Sequence, residues 1–410
     1  MKKVTKLLLL LVLAVAMLIV PATATTGAVE ATLQYQNIKI LVDGEEVKPV
    51  DVNGESTEPF AINGSTYLPV RAVAEAVGYD VEWDGETNTV SIVTEKQDDA
   101  EQIVADPDCD FKVITLGTGA PPPDDRSGQS ILVDVNGQQL LFDAGRGVMS
   151  QLFEMGYSAD DVDMVFITHL HSDHTVGLPD LYLTGLLNGP FGQRHRPFEI
   201  TGVEGTKAMM DYIKLAYAAD IEIRTNDGEI DDPSWHEIIA TEFTEDGVVY
   251  EKDGVTVTAF KNFHGENIPI SYGYRVDYDG RSVVISGDTK YCENLIEHAQ
   301  GVDLLIHSSG MANEELLKQN TPLAEKAQTI LNHHTPPEDL ARVFNETAPK
   351  LAVLNHGVIV SIAANKFPQP TLEDIAERTR EYGYTGPMEI ARDLMTFEIG
   401  ETIRVIPYQG

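Results

Sequence analysis

The densest group of chemically capable side chains lies in residues 168–174, where three histidines and one aspartate follow an apolar run. Imidazole nitrogens and carboxylate oxygens are ligands that zinc and similar divalent ions accept. In an extended segment His169 and His171 point to the same side and can reach one ion, whereas Asp173 and His174 follow a turn and can serve a second ion. A solvent-exposed histidine-rich loop is the alternative. The full H-x-H-x-D-H pattern directly after a predicted strand favours a metal site.

Three more candidate ligands lie far along the chain, each just after a predicted strand: His264 after Val255–Phe263, Asp288 after Ser282–Ser286, and His356 after Leu351–Leu354. Open α/β sheets gather functional side chains at the carboxyl ends of their strands. If these strands end at one edge, the three side chains converge with the histidine loop. The remaining histidines in polar or helical contexts are not candidate ligands: His195, His236, His298 and His333.

Strands and helices alternate over residues 110–410, which predicts an α/β domain whose sheets are covered by helices. The expected strands are Phe111–Leu116, Ser130–Val135, Gln139–Phe142, Ser271–Val276 and Leu304–Ile306, besides those named above. Helices are expected near 148–155, 206–218, 293–299, 322–332, 337–345 and 371–382.

The chain is strongly acidic, with a formal net charge of −36 over 410 residues. Such a surface repels phosphate backbones, so we expect a small anionic or aryl ester substrate rather than a nucleic acid. Only two cysteines occur, Cys109 and Cys292, and neither has zinc-ligand spacing. Whether they pair is open, and so is the oligomeric state.

The first 24 residues have the pattern of a secretory signal peptide. Three lysines precede the apolar run Leu7–Val20, and Ala22-Thr23-Ala24 is a small-residue cleavage site. An uncleaved membrane anchor is the alternative. We therefore expect the mature chain to begin near Thr25 and to be secreted or held at the extracytoplasmic surface of a bacterium.

Residues 33–93 form a separate unit of short strands, turns and one helix, Val70–Val77. The order "PFAINGSTYLPVRAVAEAVGYDVEWDGETNTVSIV" resembles the N-terminal domain of copper amine oxidases. The segment contains no His or Cys, so the resemblance does not imply copper binding here. We expect a small α+β stalk or a module for attachment to the cell wall or surface, with packing on the catalytic domain as the alternative. An acidic linker, 94–109, follows.

The carboxy-terminal domain resembles the metallo-β-lactamase superfamily, in particular its ribonuclease Z and arylsulfatase-like branch. The motifs "GTGAPPP", "LLFDAGRG", "FITHLHSDHTVGLPDL", "HGENIPISYGYRV", "ISGDT" and "VLNHG" occur in the order typical of that branch. The resemblance implies an αββα sandwich that binds two divalent ions, zinc or else manganese or iron. It assigns His169, His171 and His264 to the first ion, Asp173, His174 and His356 to the second, Asp288 to both, and Asp143 to a supporting position beneath the ligands.

Two bound ions lower the pKa of a bridging water to about 7 and supply a hydroxide nucleophile at neutral pH. Asp173 and His334 are the candidates for direct participation in catalysis, with His334 serving the leaving group. The alternative for His334 is an ordinary residue at a helix end. His307 is expected to support the ligands. The family usually has His-Glu-Ala-Thr at this place, whereas this chain has His-Ser-Ser-Gly at 307–310, which argues against authentic tRNA processing.

These features predict a secreted dinuclear-metal hydrolase of phosphodiester or aryl sulfate ester bonds. Only a short hairpin separates His264 from Asp288, where cytoplasmic ribonuclease Z carries a long basic arm. The alternatives are a lactonase or β-lactamase that attacks a carbonyl carbon, a ribonuclease Z-like endonuclease, and a surface-binding protein with an inactive sandwich.

Overall fold

The computed structural model describes two units, Met1–Gln102 and Ile103–Gly410. The described residues are 35, 37–42, 45–50, 56–62, 65–77, 79–85, 87–93, 105–121, 125–189, 192–268, 270–360 and 368–408. The predicted signal peptide lies outside them, as does most of the predicted linker, so both stay predictions. Within the described ranges, no helix combines the length and the apolar character that a membrane crossing requires.

The amino-terminal unit consists of three antiparallel strand pairs and a short helix. Its elements are β1 Ile40–Val42, β2 Glu45–Val47, β3 Phe60–Ile62, β4 Ser65–Tyr67, α1 Val70–Ala76, β5 Asp80–Asp84 and β6 Thr89–Val93. Ala72 and Ala74 of the helix are buried, and so is Val81 of the strand that follows it. Apolar side chains of the helix and of the β5–β6 hairpin are therefore buried where these two elements lie in contact.

The strands of the carboxy-terminal unit form two larger sheets. Their bounds are β7 Phe111–Gly117, β8 Ser130–Val135, β9 Gln138–Phe142, β10 Val162–Ile167, β11 Phe198–Val203, β12 Ile238–Phe243, β13 Gly247–Lys252, β14 Val255–Lys261, β15 Tyr272–Tyr278, β16 Arg281–Ile285, β17 Leu304–Ala312, β18 Leu351–Val360, β19 Met388–Ile390, β20 Met395–Ile399 and β21 Ile403–Ile406. The spatial order is β12-β11-β10-β9-β8-β7-β20-β21 in the first sheet and β13-β14-β15-β16-β17-β18-β19 in the second.

Helices cover the outer face of each sheet. They are α2 Val148–Glu154, α3 Ser172–Thr175, α4 Leu178–Thr184, α5 Thr206–Ala216, α6 Ala218–Asn226, α7 Glu293–His298, α8 Glu314–Leu317, α9 Pro322–Leu331, α10 Pro337–Thr347 and α11 Leu372–Glu381. Leu152 and Leu181 pack on the first sheet, and Leu295 and Phe344 on the second. Apolar side chains of both sheets fill the space between them. The four layers confirm the predicted αββα sandwich.

Strand direction brings the candidate ligands to one edge. β9 and β10 are parallel, while β14 and β16 are both antiparallel to β15 and therefore run the same way. β17 and β18 are parallel to β16. The phenol of Tyr274 donates a hydrogen bond to the carbonyl of Ile167 at 2.7 Å, which ties β15 to the end of β10. The carboxyl ends of β10, β14 and β16 therefore meet.

Two strands are longer than the sequence predicts. β17 continues past Ile306 to Ala312, and β18 continues past Leu354 to Val360, so His307 and His356 lie inside strands. The polar residues that follow each apolar run remain paired with one another along the parallel β17–β18 ladder. Pairing between distant strands, which no local pattern reveals, therefore extends both. Cys109 and Cys292 are both free.

Candidate metal centre

The histidine loop and the end of β14 form a first cluster of imidazoles. After β10 the chain bends at Thr168, and His171, whose backbone is extended, precedes α3. His169 Nε2 lies 2.9 Å from His171 Nδ1, and His264 Nε2 lies 3.3 Å from the same atom. Three ring nitrogens therefore converge on one point, as the spacing of His169 and His171 predicts.

A second cluster lies beside the first and includes a carboxylate. Asp173 Oδ2 lies 3.6 Å from His174 Nε2 and 3.4 Å from His356 Nε2. All three residues are buried. The structure thus brings together residues that are separated by more than 180 positions in the chain.

Asp288 lies between the two clusters. Its Oδ2 is 3.7 Å from His264 Nε2, 3.6 Å from His174 Nε2 and 3.4 Å from His356 Nε2. One carboxylate therefore faces ligands of both clusters, which is the position expected of a bridging group.

Asp143 supports both clusters from beneath. It follows β9 with a left-handed φ of 59°. The ring Nδ1–H of His174 donates to Asp143 Oδ2 at 2.7 Å, and the backbone N–H of Thr168 donates to Asp143 Oδ1 at 2.9 Å. The Thr168 hydroxyl also contacts Asp143 and lies 3.0 Å from His169 Nδ1. Partners of this kind fix ring orientation and tautomer in metal sites.

Backbone carbonyls orient two further imidazoles. His264 Nδ1 lies 2.8 Å from the carbonyl of His333, and His356 Nδ1 lies 2.8 Å from the carbonyl of Gly119. Donation of Nδ1–H to a carbonyl leaves Nε2 without a proton and ready to bind a cation. His356 occupies an irregularity of the β17–β18 pairing with a left-handed φ of 46°, which aims its ring at the cluster.

The imidazoles of the first cluster are held neutral. Burial lowers the pKa of His169 well below its usual value and also lowers the pKa of His171 and His264. A neutral imidazole is the form that ligates a metal. This cluster can therefore take up a cation without first losing protons at neutral pH.

Beside the second cluster, the carboxylate of Asp288 stays ionised and His174 is protonated. Burial opposes a charge on His174, but the carboxylates of Asp143 and Asp288 outweigh it and hold the pKa of His174 well above the usual value. Burial would raise the pKa of Asp288, yet His356 and His174 hold it well below the usual range. A cation that enters here would replace a proton on His174 while it meets an ionised Asp288.

The donor set fits divalent metal ions. Several buried polar atoms have no hydrogen-bond partner among the described residues: Asp173 Oδ2, His174 Nε2, Asp288 Oδ1, His334 Nδ1 and His356 Nε2. Burying such atoms unpaired is costly, and coordination to a cation satisfies them. Their ligand atoms group as His169–His171–His264, His169–His174–Asp288, Asp173–His174–His356 and His264–Asp288–His334, each within 4.8 Å.

His334 lies beside this centre, whereas His307 contacts its own strand and the helix layer. His334 Nδ1 is 3.8 Å from Asp288 Oδ2, and burial lowers the pKa of its ring to about 4. His307 Nδ1 contacts the carbonyl of Ser308 at 2.6 Å, and its ring packs edge-on against Phe344 of α10. Burial lowers the pKa of His307 to about 4 against the opposing charge of Asp288, and its Nε2 is buried without a hydrogen-bond partner among the described residues. Its expected support of the ligands stays a prediction.

Sequence reasoning missed the groups that orient the ligands. Thr168 and the carbonyls of Gly119 and His333 contact ring nitrogens, yet neither a threonine nor a backbone carbonyl stands out in a sequence. Of the four histidines not expected to be ligands, His195 and His298 stack on Trp235 and Phe260, whereas His333 lies next to the centre, with its ring centroid 5.8 Å from that of His264.

Comparison with known proteins identifies relatives of the carboxy-terminal unit. Ribonuclease Z of Mycobacterium marinum is 31% identical over 291 residues, which cover 70% of this chain and 99% of that protein. Ribonuclease Z of Mycolicibacterium gilvum is 32% identical over 249 residues, or 60% of this chain and 84% of that protein. The predicted enzyme class, a metal-dependent hydrolase of ester bonds, is confirmed.

Solved structures show the same fold. The metallo-β-lactamase fold protein YhfI of Bacillus subtilis superposes with a TM-score of 0.51 at 20% identity, covering 70% of this chain and 99% of that one. The short form of human tRNase Z gives a TM-score of 0.51 at 23% identity with the same coverage.

Two family models also match. The model described as anti-Pycsar protein Apyc1 matches residues 111–334, and the copper amine oxidase N-terminal domain matches residues 21–92. The second match agrees with the resemblance noted for the amino-terminal unit.

The expectation that excluded nucleic acid is wrong, because the relatives that align over nearly their whole length are ribonucleases. The net charge of −36 is a sum over the whole chain, including the separate amino-terminal unit. Recognition of a phosphodiester depends on the groups around the site, which that sum does not describe. The chain belongs to the metallo-β-lactamase superfamily, in the branch that includes ribonuclease Z.

Proposed function

We propose that this chain is a metal-dependent phosphodiesterase that cleaves RNA as a ribonuclease Z-like endonuclease. The observation that carries the proposal is the 31% identity to ribonuclease Z of Mycobacterium marinum over 99% of that protein. The convergence of His169, Asp288 and the other candidate ligands at one edge of the sandwich supports it. Of the predicted alternatives, the endonuclease therefore fits better than a hydrolase confined to small esters.

The candidate ligands would hold two divalent ions, for which we propose zinc. Nitrogen and oxygen donors with a shared carboxylate suit this ion, and manganese or iron are the alternatives. When bound, two such ions lower the pKa of water and offset the charge that develops on the attacked phosphate. Hydrolysis adds one water across one P–O bond and yields a phosphomonoester and an alcohol.

His334 is placed to assist the departing alcohol. Its ring centroid lies 5.3 Å from that of His264, next to the shared carboxylate of Asp288. A pKa of about 4 makes the imidazole neutral at pH 7, so it would act as a neutral hydrogen-bond donor to the leaving oxygen. Asp173, which faces His174 and His356, would act in catalysis as a ligand that holds one ion in place.

The test is hydrolysis of defined substrates by the zinc-loaded and manganese-loaded protein. A precursor tRNA with a 3′ extension and an unstructured RNA would be compared with bis(p-nitrophenyl) phosphate. We expect RNA cleavage that His169→Ala abolishes and His195→Ala preserves, because His195 stacks on Trp235 away from the ligands. Intact RNA after incubation with enzyme that cleaves the aryl diester would reject the RNA assignment.

A small phosphodiester or an aryl sulfate is the second candidate substrate. The interval between His264 and Asp288 contains the hairpin of β15 and β16, joined by a tight turn at Asp279-Gly280, in place of a long basic arm. Turnover of p-nitrophenyl sulfate or of a cyclic nucleotide faster than that of RNA would favour this candidate. Turnover of a β-lactam or a lactone would instead favour attack on a carbonyl carbon.

We also propose that residues 1–24 direct export and that the amino-terminal unit attaches the enzyme to the cell surface. The lysine-rich start, the apolar run and the Ala-Thr-Ala site support export. Expression of the full chain in a bacterium, followed by fractionation and mass spectrometry, would test this. A mature chain beginning near Thr25 outside the cytoplasm is expected, and an intact Met1 in the cytoplasm would contradict it.

A further inference from the structure

The turn that carries His334 is held by groups from three different elements. The carbonyl of His333 faces His264 Nδ1 at 2.8 Å. The carbonyl of Thr335 accepts hydrogen bonds from the backbone N–H of Gly310 at 3.0 Å and from the hydroxyl of Ser309 at 2.9 Å. The Thr335 hydroxyl donates to the carbonyl of Thr289 at 2.7 Å. The backbone on both sides of His334 is therefore fixed.

Ser309 and Thr335 are fully buried, which makes these bonds costly to lose. A buried acceptor left without its donor pays the desolvation cost of about 1–3 kcal/mol. The turn follows directly from the end of α9, where the N–H of His334 donates to the carbonyl of Leu331 at 3.1 Å. The position of the His334 backbone therefore depends on β17 as well as on its own helix.

Gly310 leaves the space into which His334 packs. A Cβ added to Gly310 would lie 2.8 Å from Cβ of His334 and 3.4 Å from its Cγ. Cβ is the near end of the side chain, so a change of rotamer cannot relieve that contact and the turn itself has to move. The absence of a side chain at this position on β17 thus sets how closely His334 approaches the centre.

We propose that Gly310 and Ser309 are positioning residues that hold His334 beside Asp288. Gly310 leaves the space next to Cβ of His334. Both residues donate hydrogen bonds to the carbonyl of Thr335, the residue after His334. This inference rests on the proposed function, since it assigns to His334 a place in the same hydrolysis. It also accounts for a small residue pair, Ser309-Gly310, within a buried strand.

The principal test is Gly310→Ala in the full-length, metal-loaded protein. We expect kcat to fall by about 10²-fold, because a displacement of about 1 Å costs that much when a group must meet the reacting atoms. KM and the metal content should stay within about twofold of wild type, because the ligand side chains are unchanged and the His333 carbonyl can keep its contact with His264 Nδ1; a loss of metal would show that the displacement acts through His264 and would overturn the inference. Ser309→Ala removes one of the two donors to Thr335 and should give a smaller loss, about tenfold or less.

A double-mutant cycle separates this role from general destabilisation. If Gly310 acts through His334, then Gly310→Ala should cause no further loss in a His334→Ala background. A loss that adds fully to that of His334→Ala would overturn the inference. Should Gly310→Ala fail to fold, as judged by thermal unfolding, the cycle is run with Ser309→Ala, which introduces no new atoms.

A second readout does not depend on activity. In protein labelled with ¹⁵N-histidine, Gly310→Ala should shift the ring signals of His334, which His334→Ala identifies. Unchanged ring signals would reject the inference whatever the rate. If His334→Ala alone left kcat unchanged, the proposed role of His334 would fail, whereas a shift of its ring signals would still support its placement by Gly310.

Discussion

The two halves of the candidate metal centre are built differently. The first, His169, His171 and His264, contains only imidazoles, and His171 is exposed to solvent. The second, Asp173, His174 and His356, is entirely buried, contains a carboxylate, and has Asp143 hydrogen-bonded behind His174. Asp288 faces both halves.

The two halves differ in the negative charge that faces a bound cation and in how accessible the site is to solvent. In the second half Asp173 would contact a cation directly and Asp143 would act on it through the His174 imidazole, in buried surroundings where water screens little of the attraction. A cation in the first half would meet neutral rings and, of the carboxylates, the shared Asp288, beside the solvent-exposed His171. We therefore infer that the second half binds its ion more tightly and that the first half exchanges its ion more readily.

Removing the carboxylate that the halves share should have the largest effect. Asp288→Ala deletes the group that lies 3.4–3.7 Å from ligands of both clusters. We expect aryl phosphodiester hydrolysis to fall by about 10³-fold or more, because several kcal/mol of charge stabilisation depend on both ions. Metal analysis of the purified variant should show less than one ion per chain. Two ions and full activity would refute the shared position.

Removing the carboxylate behind His174 should weaken only the second half. In Asp143→Asn an amide N–H₂ can face His174 Nδ1, which favours a proton on Nε2 and so blocks the ligand atom. Mutation of a residue that hydrogen-bonds to a metal ligand typically lowers metal affinity about 10–100-fold. Competition with a chromophoric chelator should therefore show one weakened site, with the other near its wild-type affinity.

The metal affinity of the first half in Asp143→Asn shows whether the two halves bind their ions independently. Equal weakening of both sites in Asp143→Asn would mean that Thr168, which also contacts Asp143 and lies next to His169, transmits the change. His195→Ala serves as the control for a histidine removed elsewhere.

Sequence reasoning reached the first half of the centre more directly than the second. His169 and His171 follow an apolar strand at alternate positions, and His264 follows β14, so local pattern and strand direction suffice. The left-handed φ values of Asp143 and His356, and the continuation of β18 beyond Leu354, depend on contacts between distant strands. The strand-end pattern made His356 a candidate ligand, as it did His264, whereas the resemblance to a family supplied the grouping of His356 with Asp173 and His174 and the supporting position of Asp143.

The same limit applies to the surroundings of His334. For His334 to lie next to Asp288, β17 must extend through Gly310 and α9 must end at Leu331. The sequence indicates the end of α9 through Pro336-Pro337, but it contains no local signal for the extension of β17. The charge argument failed for a related reason, because composition counts charges without locating them. Local pattern identifies residues capable of chemistry, whereas their partners come from tertiary pairing.

The smallest expected effect comes from the exposed ligand. His171→Ala leaves His169, His264 and Asp288 to hold the first ion, and solvent can fill the vacated position. We expect the metal content to approach one ion per chain at low free zinc and to return to two in excess, as mass action requires. At saturating zinc kcat should stay within about tenfold of wild type, since the deeper half is untouched. If excess zinc restored neither the metal content nor the rate, both halves would depend on His171, and the distinction between a tight and an exchangeable site would be wrong.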